Sequence, residues 1–176
     1  RNLAAQFGHE YFAEQVKTGG KTQELWQAIA DHGFLSVHFP PEYGGGGGGI
    51  SELTIVSEEL AAQGCPLLLI LVSAAISAEL ITRFGSGEQK QQWLPALATG
   101  VKMAFAIAEP DAGSNTHRLS TIAVRVGDTY RLNGTKTYIS GVDESAAVLV
   151  VARTGTDEGT GDAQLSMFIV DSDAAG

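Results

Sequence analysis

Apolar residues recur at three- and four-residue intervals up to about Gly100, and at two-residue intervals after it. In TQELWQAIADHG, Leu25, Ala28, Ile29 and His32 fall on one stripe. Thr22 stands at the N-cap, Glu24 in the first turn and Gly33 at the C′ position, so the spacing predicts a helix. SELTIVSEELAAQG repeats the logic, with Ser51 as cap, Leu53, Val56 and Leu60 inward, and Gly64 as stop. Leu67 to Arg83 is more apolar and predicts a more buried helix. GSGEQKQQWLPALATG predicts another, capped by Ser86, anchored by Trp93 and Leu94, and broken or kinked at Pro95. Asn2 to Val16 completes a helical half.

From KMAFAIAE onward the pattern is that of strands. STIAVRVGDTYRLNGTKTYIS reads as strand, turn, strand, turn, strand, with Gly127-Asp128 and Asn133-Gly134 as tight-turn pairs. AAVLVVART and QLSMFIVD are two more strands, joined by the solvated loop GTDEGTGD. Helices and strands are segregated rather than alternating, which predicts two domains, residues 1–102 and 103–176, and excludes a Rossmann unit.

The hydrophobic fraction of 44% and charged fraction of 18% fit a globular chain. A net charge of −9 argues against broad nucleic-acid binding. Cys65 is the one cysteine, so no internal disulfide forms, and a reducing cytoplasm is expected, with Cys65 as a small buried residue. The run PLLLILV falls short of the about 18 residues a membrane span needs, and no signal peptide is visible. His9, His32, His38 and His117 lack metal-ligand spacing.

Six consecutive glycines, Gly44 to Gly49, satisfy a phosphate-loop pattern by accident. No parallel strand follows them inside a βαβ unit and no Gly-Lys-Ser/Thr is present, so they predict a flexible interhelical loop of weak order. AFAIAEPDAGSNTHRLST is chemically denser. A strand ends at Glu109-Pro110, and the loop Asp111 to Asn115 can bring several amide donors to a polar ligand. The same residues also suit an ordinary turn with Asx capping.

AEPDAGSN, followed downstream by YRLNGTKTYISG, resembles the flavin-site signature of the acyl-CoA dehydrogenase family. HGFLSVHFPPEYGG and RFGSGEQKQQWLPALATG are similar to two further motifs of that family, in the same order. The resemblance implies a helical N-terminal domain and a β-barrel middle domain, with the family's C-terminal four-helix bundle absent from this chain. It implies FAD contacts from the backbone of Phe105 through Ile107 to Ala108, from Gly113 and Ser114, and from Tyr138 and Ser140; Ser114 also meets the substrate's pantetheine arm. Ala108 stands where the family carries Thr, Tyr138 where it carries Trp, and Ser140 where it carries Thr. Leu71 to Ala78 matches the region that lines the acyl pocket, although helix packing explains its small residues equally well. His117 and Arg118 follow the flavin loop and offer cations for CoA phosphates or a solvated turn.

The implied reaction is FAD-dependent α,β-dehydrogenation of an acyl-CoA thioester, with electrons passed to an electron-transfer flavoprotein by a homotetramer or homodimer. The catalytic Glu is expected in the missing bundle, Glu109 reads as structural, and no residue here is assigned catalysis. Two rivals keep the fold: an acyl-CoA oxidase or flavin monooxygenase relative, and a non-catalytic partner subunit of a hetero-oligomer.

Overall fold

The computed structural model describes residues 1–175, in two compact units, Arg1–Lys102 and a second that begins at Met103. In the first, α1 (Asn2–Thr18), α2 (Gln23–Asp31), α3 (Ile50–Ala62), a π-helical segment (Ile70–Ala78), α4 (Glu79–Phe84) and α5 (Gly87–Ala98) surround one core. Leu25, Ile29 and Leu53 are at most 1% exposed at its centre, each burial being worth about 1.5–3 kcal/mol. Trp26 and Ala30 join them, whereas His32, placed on the same stripe by periodicity, is exposed. Trp26 donates from Nε1 to the Gly100 carbonyl (2.8 Å), which ties the end of the helical unit back to α2.

Three helices depart from the sequence expectation. α3 starts at Ile50, not after Ser51: Gly49 is its N-cap, and the Glu52 carboxylate accepts from the Gly49 N–H at 2.7 Å, taking the capping role expected of Ser51. α5 keeps its Ser86 cap, with the reciprocal Gln89 contacts at 2.9 and 3.2 Å, but runs through Pro95 without breaking. The residue four positions before Pro95, Gln91, is exposed, so its carbonyl is open to solvent in place of the missing donor. The long helix expected over 67–83 is π-helical over Ile70–Ala78 and α-helical after it. Two of its carbonyls take side-chain donors, Val72 from Ser77 Oγ (3.0 Å) and Ala74 from His38 Nε2 (3.1 Å). Its small residues Ser73, Ala74, Ser77 and Ala78 are all buried, so packing accounts for them.

The glycine run is ordered, contrary to the weak order expected of it. Gly45, Gly46, Gly47 and Gly48 donate their N–H groups to the carbonyls of Pro40, Ser36, Phe39 and Val37 at 2.9–3.2 Å. A methyl group on Gly46 or Gly48 would lie 2.7 or 2.9 Å from the Val37 carbonyl oxygen. Glycine is required there because backbone packs directly on backbone.

In the second unit, β4 (Ala147–Thr156) is the central strand of a mixed sheet with β1 (Met103–Ala106), β2 (Ile122–Val126), β3 (Thr129–Asn133) and β5 (Ala163–Asp171). β4 pairs in parallel with β1, Met103 opposite Ala147, and farther along with β2 at Ile122 and Arg153. β5 returns antiparallel along the other edge, and β2–β3 is a hairpin closed by Gly127-Asp128. The barrel implied by the resemblance is an open sheet among the described residues. β3 and β5 approach through Tyr130 and Phe168, whose rings lie 5.0 Å apart, but they share no ladder, and a cleft of about 970 Å³ separates them. The strand expected after Asn133-Gly134 is also missing, because Lys136, Thr137 and Tyr138 are held otherwise.

Candidate functional site

β1 ends at Ala106, and the chain leaves the sheet edge through Ile107 and Ala108 into a loop that returns at Ser120. A single carboxylate closes the loop. Glu109 Oε2 accepts from the Ser120 N–H (2.6 Å) and hydroxyl (2.7 Å), and Oε1 from the Thr121 N–H (3.0 Å) and Lys136 Nζ (2.8 Å). Burial would push this carboxyl up, but the Lys136 ammonium and the hydrogen bonds from Thr121 and Ser120 outweigh it, holding Glu109 far below the usual carboxylate range. A carboxylate so fully bonded is a poor proton acceptor, and its role is structural, as its place in the motif suggested.

Lys136 is itself nearly buried and also donates to the Ile107 carbonyl at 3.0 Å. The Thr137 N–H donates to the Ala108 carbonyl, again at 3.0 Å. Residues 107–109, 120–121 and 136–137 therefore meet at one point, with opposite charges paired where isolated ones would be costly. Ala112 and Leu119 pack with Val151 against Phe105 and Ile107, pinning the loop from beneath. The Asn115 side chain accepts from the His117 N–H at 3.2 Å, so the Asx capping foreseen for an ordinary turn is present as well.

Above these anchors the surface is open. Gly113 and Ser114 are exposed, and among the described residues the N–H groups of Ala108, Gly113 and Ser114 have no protein acceptor. Tyr138 is 96% exposed and sits at φ 57°, a left-handed backbone that a bulky residue adopts only at a cost. Beside it the Thr137 hydroxyl is buried without a partner. Ser140 is half-buried, and Gly141 follows it at φ 72°. Of the seven residues named from the sequence, Ile107, Ala108, Tyr138 and Ser140 lie on two segments joined by the Lys136 and Thr137 bonds, and Gly113 and Ser114 on the loop that Glu109 closes. Phe105 differs: it is inside β1, opposite Leu149, with its ring in the small core. Lys136 and Thr137, which organise the arrangement, were inside the quoted motif but not singled out; a lysine close before an exposed aromatic was the available signal.

These groups are of the kinds that an isoalloxazine ring would engage. They are an aromatic face held clear of the protein, amide donors without acceptors, and an orphaned buried hydroxyl. His117 and Arg118 are exposed in a short turn, with His117 Nδ1 3.9 Å from Asp162, a surface contact of little energetic weight. Among the described residues no cluster of His, Cys, Asp or Glu is arranged to hold a metal ion, and no helix is long and apolar enough to cross a membrane.

The family model for "Acyl-CoA dehydrogenase, N-terminal domain" matches residues 1–101, and that for "Acyl-CoA dehydrogenase, middle domain" matches residues 104–176. Acyl-CoA dehydrogenase FadE12 of Mycobacterium tuberculosis is 47% identical over 173 residues, covering 98% of this chain and 44% of that protein. The crystal structure of acyl-CoA dehydrogenase from Geobacillus kaustophilus superposes with a TM-score of 0.87 at 30% identity, over 98% of this chain and 46% of that one. Glutaryl-CoA dehydrogenase from Mycobacterium smegmatis, solved in complex with FADH2, does so with a TM-score of 0.82 at 30% identity, over 98% and 44%. The chain thus spans somewhat less than half the length of these relatives, and its helical unit and mixed sheet have an acyl-CoA dehydrogenase fold.

Proposed function

Because the chain belongs to the acyl-CoA dehydrogenase family, we propose that it is the flavin-facing portion of an FAD-dependent enzyme that desaturates an acyl-CoA thioester between its α and β carbons. Its two domains, on this reading, are residues 1–102 and 103–176. The observation that carries the proposal is Tyr138, an almost fully exposed aromatic on a left-handed backbone, next to amide donors that have no protein acceptor.

Bound FAD supplies the two-electron acceptor, which no amino-acid side chain provides. The chain's own residues position it. The Tyr138 ring offers a stacking face, Ser140 a hydroxyl, and the N–H groups of Ala108, Gly113 and Ser114 offer donors. Ser114, exposed on the loop, also hydrogen-bonds the pantetheine arm of the thioester. Glu109 is committed to four donors and is unsuited as the base, a role we assign to a Glu outside this chain. We assign electron-transfer flavoprotein as the acceptor, a homotetramer or homodimer as the assembly, and a cytoplasmic role in fatty-acid β-oxidation. The full-length protein should carry one FAD per protomer, and its visible absorbance should bleach anaerobically with an acyl-CoA. Failure to take up FAD at saturating concentration would sink the proposal.

A further inference from the structure

Lys136 reaches past its carboxylate partner to a backbone group that belongs to the candidate site. Its ammonium, with a side chain 10% exposed, lies 2.8 Å from Glu109 Oε1 and 3.0 Å from the Ile107 carbonyl oxygen. That carbonyl shares one peptide unit with the Ala108 N–H, which has no protein acceptor among the described residues and lies at the half-buried edge where β1 ends. A cation on the oxygen of a peptide draws electron density from its nitrogen, and bonds in such a chain polarise one another. The low local dielectric around a nearly buried ammonium strengthens the effect.

We propose that Lys136 is a positioning residue that tunes the candidate flavin site electronically: by polarising the Ile107–Ala108 peptide it makes the Ala108 N–H a stronger donor. The inference rests on the functional reading above and deepens it. Any ring atom that accepts this bond gains negative charge when two electrons enter the ring, so the stronger donor favours the reduced cofactor over the oxidised one. The bond also acts at the position where Ala108 lacks the hydroxyl implied by the family resemblance. Glu109 offsets part of the Lys136 charge, while its carboxylate also accepts from Ser120 and Thr121.

The test uses the full-length protein and compares the affinities for FAD and for FADH2 by anaerobic titration. Lys136→Met is expected to weaken FADH2 about tenfold more than FAD, which for a two-electron couple lowers the midpoint potential by ~30 mV. Lys136→Gln keeps a neutral donor to both oxygens, and is expected to shift the ratio the same way; it carries the comparison if the methionine variant does not fold. Lys136→Arg keeps the charge and is expected to hold the wild-type ratio. A merely structural lysine would weaken both redox forms equally when removed, and that result overturns the proposal, as does an arginine variant that behaves like methionine. Wild-type protein that binds neither form contradicts the functional reading itself, an outcome distinct from equal weakening.

Discussion

Two glycine-bearing loops in this chain, one a run of six glycines and the other carrying a single one, differ in what their amides do. In the Gly44–Gly49 run, four successive N–H groups are bonded to the segment Ser36–Pro40, and the missing side chains let backbone lie on backbone. In the loop after Glu109, Gly113 has open space where a side chain would go, and the amides of Gly113 and Ser114 have no protein acceptor. The conspicuous run is structural, and the inconspicuous loop has donors left for a ligand. Glycine count therefore says less about nucleotide binding than whether the amides already have partners.

The largest effect expected of any change to this comparison comes from the base of the second loop. Glu109→Ala leaves the Lys136 ammonium nearly buried without its carboxylate, and should cost about 3–5 kcal/mol in urea unfolding of the full-length protein. The pH dependence has a definite sign. The folded carboxyl is held below its unfolded value of ~4.3, so the stability it contributes is complete above that pH and is lost as pH falls toward the folded value. The alanine variant should show a flatter acid limb than wild type.

Placing a methyl group in each loop sharpens the contrast. Gly46→Ala sets a Cβ 2.7 Å from the Val37 carbonyl oxygen and should destabilise by about 1–3 kcal/mol. Gly113→Ala meets nothing within 4 Å and should stay within about 0.5 kcal/mol of wild type. Equal losses at the two positions would erase the distinction. Tyr138→Gly separates stability from binding: it relieves a left-handed tyrosine and should leave stability unchanged or raise it by up to about 1 kcal/mol. The same variant should weaken FAD two- to tenfold in a fluorescence titration, as the loss of about 0.5–1.5 kcal/mol of aromatic contact implies. Ala108→Thr adds one hydroxyl and should tighten FAD about fivefold in the same titration.

The segregation of helices from strands, the Ser86 cap and the turn at Gly127-Asp128 were legible in the sequence because each rests on short-range spacing or on a residue's own conformational preference. The π-helical course of Ile70–Ala78 was not: it is accompanied by His38, far away in sequence, reaching the Ala74 carbonyl. Nor was the order of the glycine run, set by the neighbouring segment rather than by the glycines. At the candidate site the motif named Gly113, Ser114 and Tyr138, but could not show that Glu109 and Lys136 hold three separated segments together. Periodicity cannot show bonds between positions 109, 120 and 136, and it likewise could not show that the sheet stays open between β3 and β5.

Hydrogen exchange of the full-length protein, measured by mass spectrometry with and without FAD, tests the central contrast most directly. The account predicts new protection in peptides covering 107–115 and 136–140, and no change over 44–49, where the amides already have partners. Protection appearing at the glycine run, or at neither loop when FAD is bound, would contradict it.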